Sequence, residues 1–305
     1  MGEWYALGSA LCFAVANVAI TRGAPRGADD NGAFLSLLLT AGISALGWLV
    51  VGSTQGFAPI TIEGVAWLAA AGVLTAFIGR VFLYASIQHL GAMRASAIKR
   101  LNPFFAVLLG MLVLGESVSG SMGWGALLIM ASFAVLVQAQ WRGKSTPGAA
   151  APAAWRQLLN LGYLYGPASA LGYALGYLLR KAGLQETPDP FFGAMVGTLV
   201  GALLFVLAGS FSGGYRRAVV ATFERPNPWL YAAGVTSSAG QILYFAALNV
   251  SPMSTVALVV SMEVFITIGL SLLFLGEKLS PRVALAALLG IAGTALLVGI
   301  WPGWT

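Results

Sequence analysis

Ten apolar runs follow one another along the chain, at residues 4–21, 33–52, 64–88, 94–114, 123–138, 158–179, 191–210, 229–248, 255–275 and 283–300. About 20 such residues span the hydrocarbon core of a bilayer as an α-helix, and lipid leaves the backbone no hydrogen-bonding partner but itself. The sequence therefore predicts an all-α membrane protein with ten transmembrane helices. Only 9% of the 305 residues are charged, against about 25% in a soluble protein, and ten crossings of about 20 residues with short connections are expected to leave almost nothing for a soluble domain. Tryptophans such as Trp4, Trp67, Trp124, Trp155, Trp229 and Trp301 stand at or near the ends of the runs, where an interfacial aromatic belt belongs. Gly172-xxx-Gly176 and Gly197-xxx-Gly201 have the spacing that lets helix backbones approach closely in lipid. The start, Met1-Gly2-Glu3-Trp4, lacks the basic n-region of a signal peptide, so the first run is expected to stay in the protein.

One connection is long. Residues 140–156 contain Pro147-Gly148-Ala149-Ala150-Ala151-Pro152, a linker composition. It divides the chain into a first five-helix repeat at 1–139 and a second at 157–305. A shift of 161 residues lays Leu114-Gly115-Glu116 on Leu275-Gly276-Glu277, Gly79 on Gly240 and Phe104 on Phe265 without a gap. A shift of 160 lays Ser9-Ala10-Leu11 on Ser169-Ala170-Leu171. Because five is odd, the two copies enter the membrane from opposite sides, which makes them inverted repeats of the kind secondary transporters use. Glu116 and Glu277 fall where one helix ends and the next begins, and are read as parts of turns and caps. Ser280-Pro281 has the form of an N-cap followed by Pro at the first helical position.

Basic residues set the orientation. Arg22, Arg26, Arg94, Arg142, Lys144, Arg156, Arg216, Arg217, Arg225, Lys278 and Arg282 fall in odd-numbered loops, and only Arg180 and Lys181 in even ones. By the positive-inside rule both termini and the 187–190 loop lie outside and the 143–154 linker in the cytoplasm. The sequence pI of about 9.7 thus reflects cytoplasmic anchors and no nucleic-acid partner. Gly91-Ala92-Met93 and Ser251-Pro252-Met253 sit at related positions on opposite sides and are candidate hinges.

The pattern of Asn102-Pro103-Phe104-Phe105, then Leu114-Gly115-Glu116 and a last helix, repeated with Val264 in place of the Pro and with Leu275-Gly276-Glu277-Lys278-Leu279-Ser280, resembles the EamA domain of the drug/metabolite transporter superfamily. Two such domains cover nearly the whole chain. Within the superfamily the chain most resembles the YddG-type amino-acid exporters of bacteria. The resemblance implies ten helices around a central cavity, lined chiefly by helices three, four, eight and nine with one and six, and export of small metabolites through the bacterial inner membrane. It also implies cytoplasmic termini, opposite to the charge count, and the charge count is the reading adopted.

Ionisable groups inside spanning helices cost about 2.5–3.5 kcal/mol each and are functional candidates by default. Arg80 lies deep in helix three, Lys99 and Arg100 in helix four, and Glu263 in helix nine. The repeat pairs Asn102 with Glu263, Arg80 with Gln241 and Asn17 with Tyr177. Tyr84 and Tyr244 fall about one turn beyond Arg80 and Gln241, and Tyr173 shares a face of helix six with Tyr177. The expected substrate-binding set is therefore Asn17, Arg80, Tyr84, Lys99, Asn102, Tyr173, Tyr177, Gln241, Tyr244 and Glu263. Three cations against one carboxylate leave positive charge to be completed by an anion, such as a substrate carboxylate held by an arginine fork. Glu263 and the tyrosine faces would take the ammonium end. The opposing reading is a structural ion pair, for example Glu263 with Arg80 or Lys99.

With one cysteine, Cys12, and one histidine, His89, neither a disulfide nor a metal centre is expected, and no cofactor. No nucleophile–base set can be assembled, so the chain is not read as an enzyme; no filter-like loop favours a channel. The expectation is a carrier exporting amino acids and related small metabolites by alternating access, with amphipathic drugs or nucleosides as the alternative cargo. Its partners are a small-molecule substrate and the lipid bilayer; no oligomer is required.

Overall fold

A computed structural model describes residues 1–24, 32–79, 82, 101–116, 120–142, 162–224, 226–275 and 281–297. Among these residues the protein is helical, with no strand. The helices are α1 (Gly2–Gly23), α2 (Ala33–Gln55), α3 (Ile62–Gly72), which continues as a π-helical stretch over Val73–Ile78, α4 (Asn102–Val113), α5 (Gly120–Arg142), α6 (Gly162–Glu186), α7 (Pro190–Phe211), α8 (Gly213–Glu224), α9 (Pro228–Val250), α10 (Met253–Val260), α11 (Glu263–Leu275) and α12 (Pro281–Leu297). Helix starts follow local chemistry. Asp189 and Asn227 accept hydrogen bonds from the first backbone N–H groups of α7 and α9, each with Pro at the first position, and Thr61 caps α3 in the same way. Four spans, Gly2–Gly23, Ala33–Gln55, Pro190–Phe211 and Met253–Phe274, are long and apolar enough to cross a membrane.

The bundle is packed small side in and large side out. On α1 Ala6, Ala10 and Ala14 are fully buried while Leu11 and Val15 are exposed, and the outward faces elsewhere carry Leu46, Val50, Leu112, Leu203 and Leu273. That distribution suits a lipid surround, where leucine gains nothing by burial and close backbone approach supplies the packing. At its tightest, a β-carbon on Gly72 of α3 would lie 2.6 Å from the Gly197 carbonyl of α7.

Helix packing follows the repeat. α1 packs on α9 as α6 packs on α3, and α1 on α11 as α6 on α4; α2 packs on α7 and α5 on α12. Ser9 Oγ donates to the Gly240 carbonyl at 2.8 Å, and Ser169 Oγ to the Gly79 carbonyl at 2.6 Å. These are the residues that the 160 and 161 shifts equate, joined crosswise between the halves. At one end of the bundle Gly2 abuts Ser251, Thr61 meets Thr187, and Glu116 meets Met253. At the other Gly23 abuts Trp229, and Arg22 donates to the Phe274 carbonyl at 2.6 Å.

Three expectations need correction. Residues 180 and 181 are not in a loop: α6 runs to Glu186, because Gly172, Gly176 and Gly183 continue one small-residue face against α3. Helix nine is not continuous but breaks at Ser261-Met262 into α10 and α11. Residues 213–224, expected as loop, form α8, which lies against α7 and α2 through a Tyr215–Phe205 edge contact and Phe34–Phe223. Arg80, Tyr84, His89, Gly91-Ala92-Met93, Lys99, Arg100 and Glu277 lie outside the described residues.

Candidate substrate-binding site

Two helix starts place the polar groups. α4 starts at Asn102 and α11 at Glu263, the two residues that the 161 shift superposes. Each is held by the helix that the repeat assigns to it. Asn17 Nδ2 on α1 donates to Glu263 Oε1 at 2.6 Å and to Thr267 Oγ1 at 3.4 Å, and Asn102 Nδ2 donates to the Tyr177 hydroxyl on α6 at 3.2 Å. The two contacts are repeat counterparts, with a carboxylate in one half and a neutral amide in the other.

Beside Tyr177 sits a cation that the sequence reading placed in a loop. Arg180 is one turn along α6 and only 7% exposed. Its Nη2 donates to Thr75 Oγ1 at 3.0 Å and its Nη1 approaches Gln241 Oε1 at 3.4 Å. The guanidinium lies over three rings, at 4.9 Å from the Phe245 centroid, 5.5 Å from Tyr244 and 5.7 Å from Tyr177. Cation–π contact partly replaces lost hydration, but among the described residues no carboxylate stands within ion-pair distance of Arg180. Thr75 lies in the π-helical stretch over Val73–Ile78. Such stretches insert an extra residue into a helix and recur at functional sites, and a β-carbon on Gly176 would collide with the Thr75 methyl.

Two more atoms are left without partners. The Tyr244 hydroxyl and Asn102 Oδ1 are buried and find no hydrogen bond among the described residues. Leaving a buried polar group unpaired costs about 1–3 kcal/mol, and here an acceptor and a hydroxyl without partners and a guanidinium without a carboxylate, among the described residues, gather around one phenol. The Tyr177 and Tyr244 rings pack on each other beside these groups, 5.0 Å apart.

Of the residues expected at the site, Asn102, Tyr177, Gln241 and Tyr244 come together here. Asn17 and Glu263 form the separate, repeat-related contact. Tyr173 packs its ring against Gly79. Arg80, Tyr84 and Lys99 lie outside the described residues. Arg180 and Thr75 are additions. Gly172, Gly176 and Arg180 share a face at i, i+4 and i+8, and that spacing was the available signal.

The sequence profile of the EamA-like transporter family matches residues 1–138 and again residues 160–299. This protein belongs to the EamA-like transporter family, and is a membrane transporter of the drug/metabolite type with two copies of the domain. No curated protein matches it. A solved structure titled only "Crystal structure of protein" has the same fold, at a TM-score of 0.67 and 17% identity over 98% of this chain and 99% of that one.

Proposed function

We propose that the protein is a secondary transporter that exports amino acids and related small metabolites across the bacterial inner membrane by alternating access. Ten spanning helices, with helix nine divided between α10 and α11 and α8 lying outside the count, form two inverted repeats around a central cavity. The crosswise Ser9–Gly240 and Ser169–Gly79 bonds support the inverted arrangement. The YddG-type resemblance supports export.

Arg180 carries the substrate assignment. A guanidinium that is buried, gripped by Thr75, Gln241 and aromatic faces, and without a carboxylate among the described residues matches a ligand carboxylate, which its planar fork binds bidentately. Asn102 Oδ1 and the Tyr244 hydroxyl, across Tyr177 from it or beside it, then receive the α-ammonium. Glu263, with Asn17 and Thr267, is the second polar station, and Arg80, Tyr84 and Lys99 are assigned to the same cavity by the repeat. Contacts limited to the shared amino-acid backbone leave the side chain to small-residue surfaces, so selectivity is broad. The test is flux of labelled amino acids, nucleosides and amphipathic drugs from proteoliposomes, with amino-acid esters and decarboxylated amines as competitors. Amino acids are expected to move and the esters and amines to compete poorly; transport confined to nucleosides or drugs would refute the assignment.

A further inference from the structure

The Leu-Gly-Glu segment, read from sequence as a turn, reaches into the other half of the molecule. Gly115 has φ +63°, the left-handed conformation that glycine adopts freely, and ends α4. Glu116 then turns back, its N–H bonding the Gly110 carbonyl at 3.1 Å. Its carboxylate accepts from the backbone N–H groups of Met253 and Ser254 and from Ser254 Oγ. These are the first-turn donors of α10, in the second repeat. The seat is specific, because a β-carbon on Gly110 would stand 2.5 Å from Glu116 Oε2.

On the other side of the Ser251-Pro252 turn, Lys181 Nζ donates to the carbonyls of Leu248 at 2.6 Å and Ser251 at 2.9 Å, at the end of α9. An anion thus holds the positive end of one helix and a cation the negative end of the other, each in its favourable place. Both come from elements outside the α9–α10 hairpin. Lys181 adjoins Arg180, so the grip on the turn and the proposed substrate anchor share one stretch of α6. A pocket of about 370 Å³ lined by Glu116, Lys181, Gln185, Asn249 and Ser251 opens directly on this junction.

We propose that Glu116, Ser254 and Lys181 form the latch of a gate, closed in this structure, that separates the Arg180 site from the bundle face carrying the Ser251-Pro252 turn. Release of Glu116 from α10 lets α10 swing and opens that face. The inference rests on alternating access but not on the cargo, and its test needs no substrate. Val256, fully buried one turn into α10, is replaced by Cys in a Cys12→Ser background, and its reaction with a membrane-impermeant maleimide is timed in proteoliposomes. Charged hydrogen bonds are worth enough that Glu116→Gln should accelerate labelling about tenfold. Gly110→Ala, which keeps the carboxylate but fills its seat, should do the same, and Ser254→Ala should give a smaller increase. Ala202→Cys, buried between α2 and α7, reports general loosening and should not respond. Unchanged labelling at position 256 in the folded variants would overturn the latch. So would equal acceleration at 202, which would make Glu116 only a structural staple.

Discussion

Arg180 is a buried charge with no carboxylate within ion-pair distance among the described residues. A cation retained inside a bundle without a counter-ion costs stability that an uncharged residue of similar length would not. If its purpose is to meet a ligand, removing it should separate function from stability. Arg180→Gln is therefore expected to lose most amino-acid flux while its melting temperature in detergent stays level or rises. Glu263→Gln keeps an oxygen to accept from Asn17 and should fold normally with reduced flux; wild-type flux at matched protein levels would reduce Glu263 to a helix contact. Asn102, Tyr177, Gln241 and Tyr244, which the structure brings together, were candidates from the repeat and helical spacing; the Asn17–Glu263 contact was not, since the repeat pairs Asn17 with Tyr177 and Asn102 with Glu263. Arg180 was not, because the 160 shift lays it on Ile20, so the repeat marked nothing there, and a cation followed by a lysine resembles a membrane boundary.

Close packing makes opposite demands on two glycines. A β-carbon on Gly72 meets the Gly197 backbone at 2.6 Å, whereas one on Gly197 finds only the Leu68 carbonyl at 3.8 Å. Backbone cannot yield as a side chain can, so Gly72→Ala should destabilise by about 1–3 kcal/mol and Gly197→Ala should be nearly silent. Thermal unfolding of both in one detergent checks this, and equal melting temperatures would contradict the α3–α7 contact. Spanning runs are legible as elements because hydropathy and length decide them. The break between α10 and α11 is not, since Ser261-Met262 is no stronger a breaker than many uninterrupted pairs. α8 escaped because an interfacial helix needs neither spanning length nor continuous apolarity. Its Arg216 and Arg217 with Val220 and Phe223 resemble loop sequence until packed on α2 and α7.

At the scale of the whole molecule the two copies of the domain organise the packing. With Arg180 buried inside α6, the even-loop side keeps only Lys181 of the two basic residues that the sequence count gave it, and the asymmetry toward the odd side sharpens. The end carrying Arg22, Arg216 and Arg217 is thus expected in the cytoplasm. In a Cys12→Ser background, Gln185→Cys should label from outside intact cells and Gly214→Cys only after permeabilisation; the reverse pattern would invert the topology. The fold and its duplication were readable because lipid permits so few solutions. The interlock of the halves was readable only in part, since Glu116 lies in a turn whose own neighbours give no hint of a partner 137 residues away. The central claim is that a substrate carboxylate completes the Arg180 site. It is tested most directly by amino-acid exchange in proteoliposomes containing wild-type or Arg180→Gln protein at matched levels. The account predicts a loss of about tenfold or more, in line with losing one charge-assisted contact, with the fold retained. Undiminished exchange by the Gln variant would contradict it.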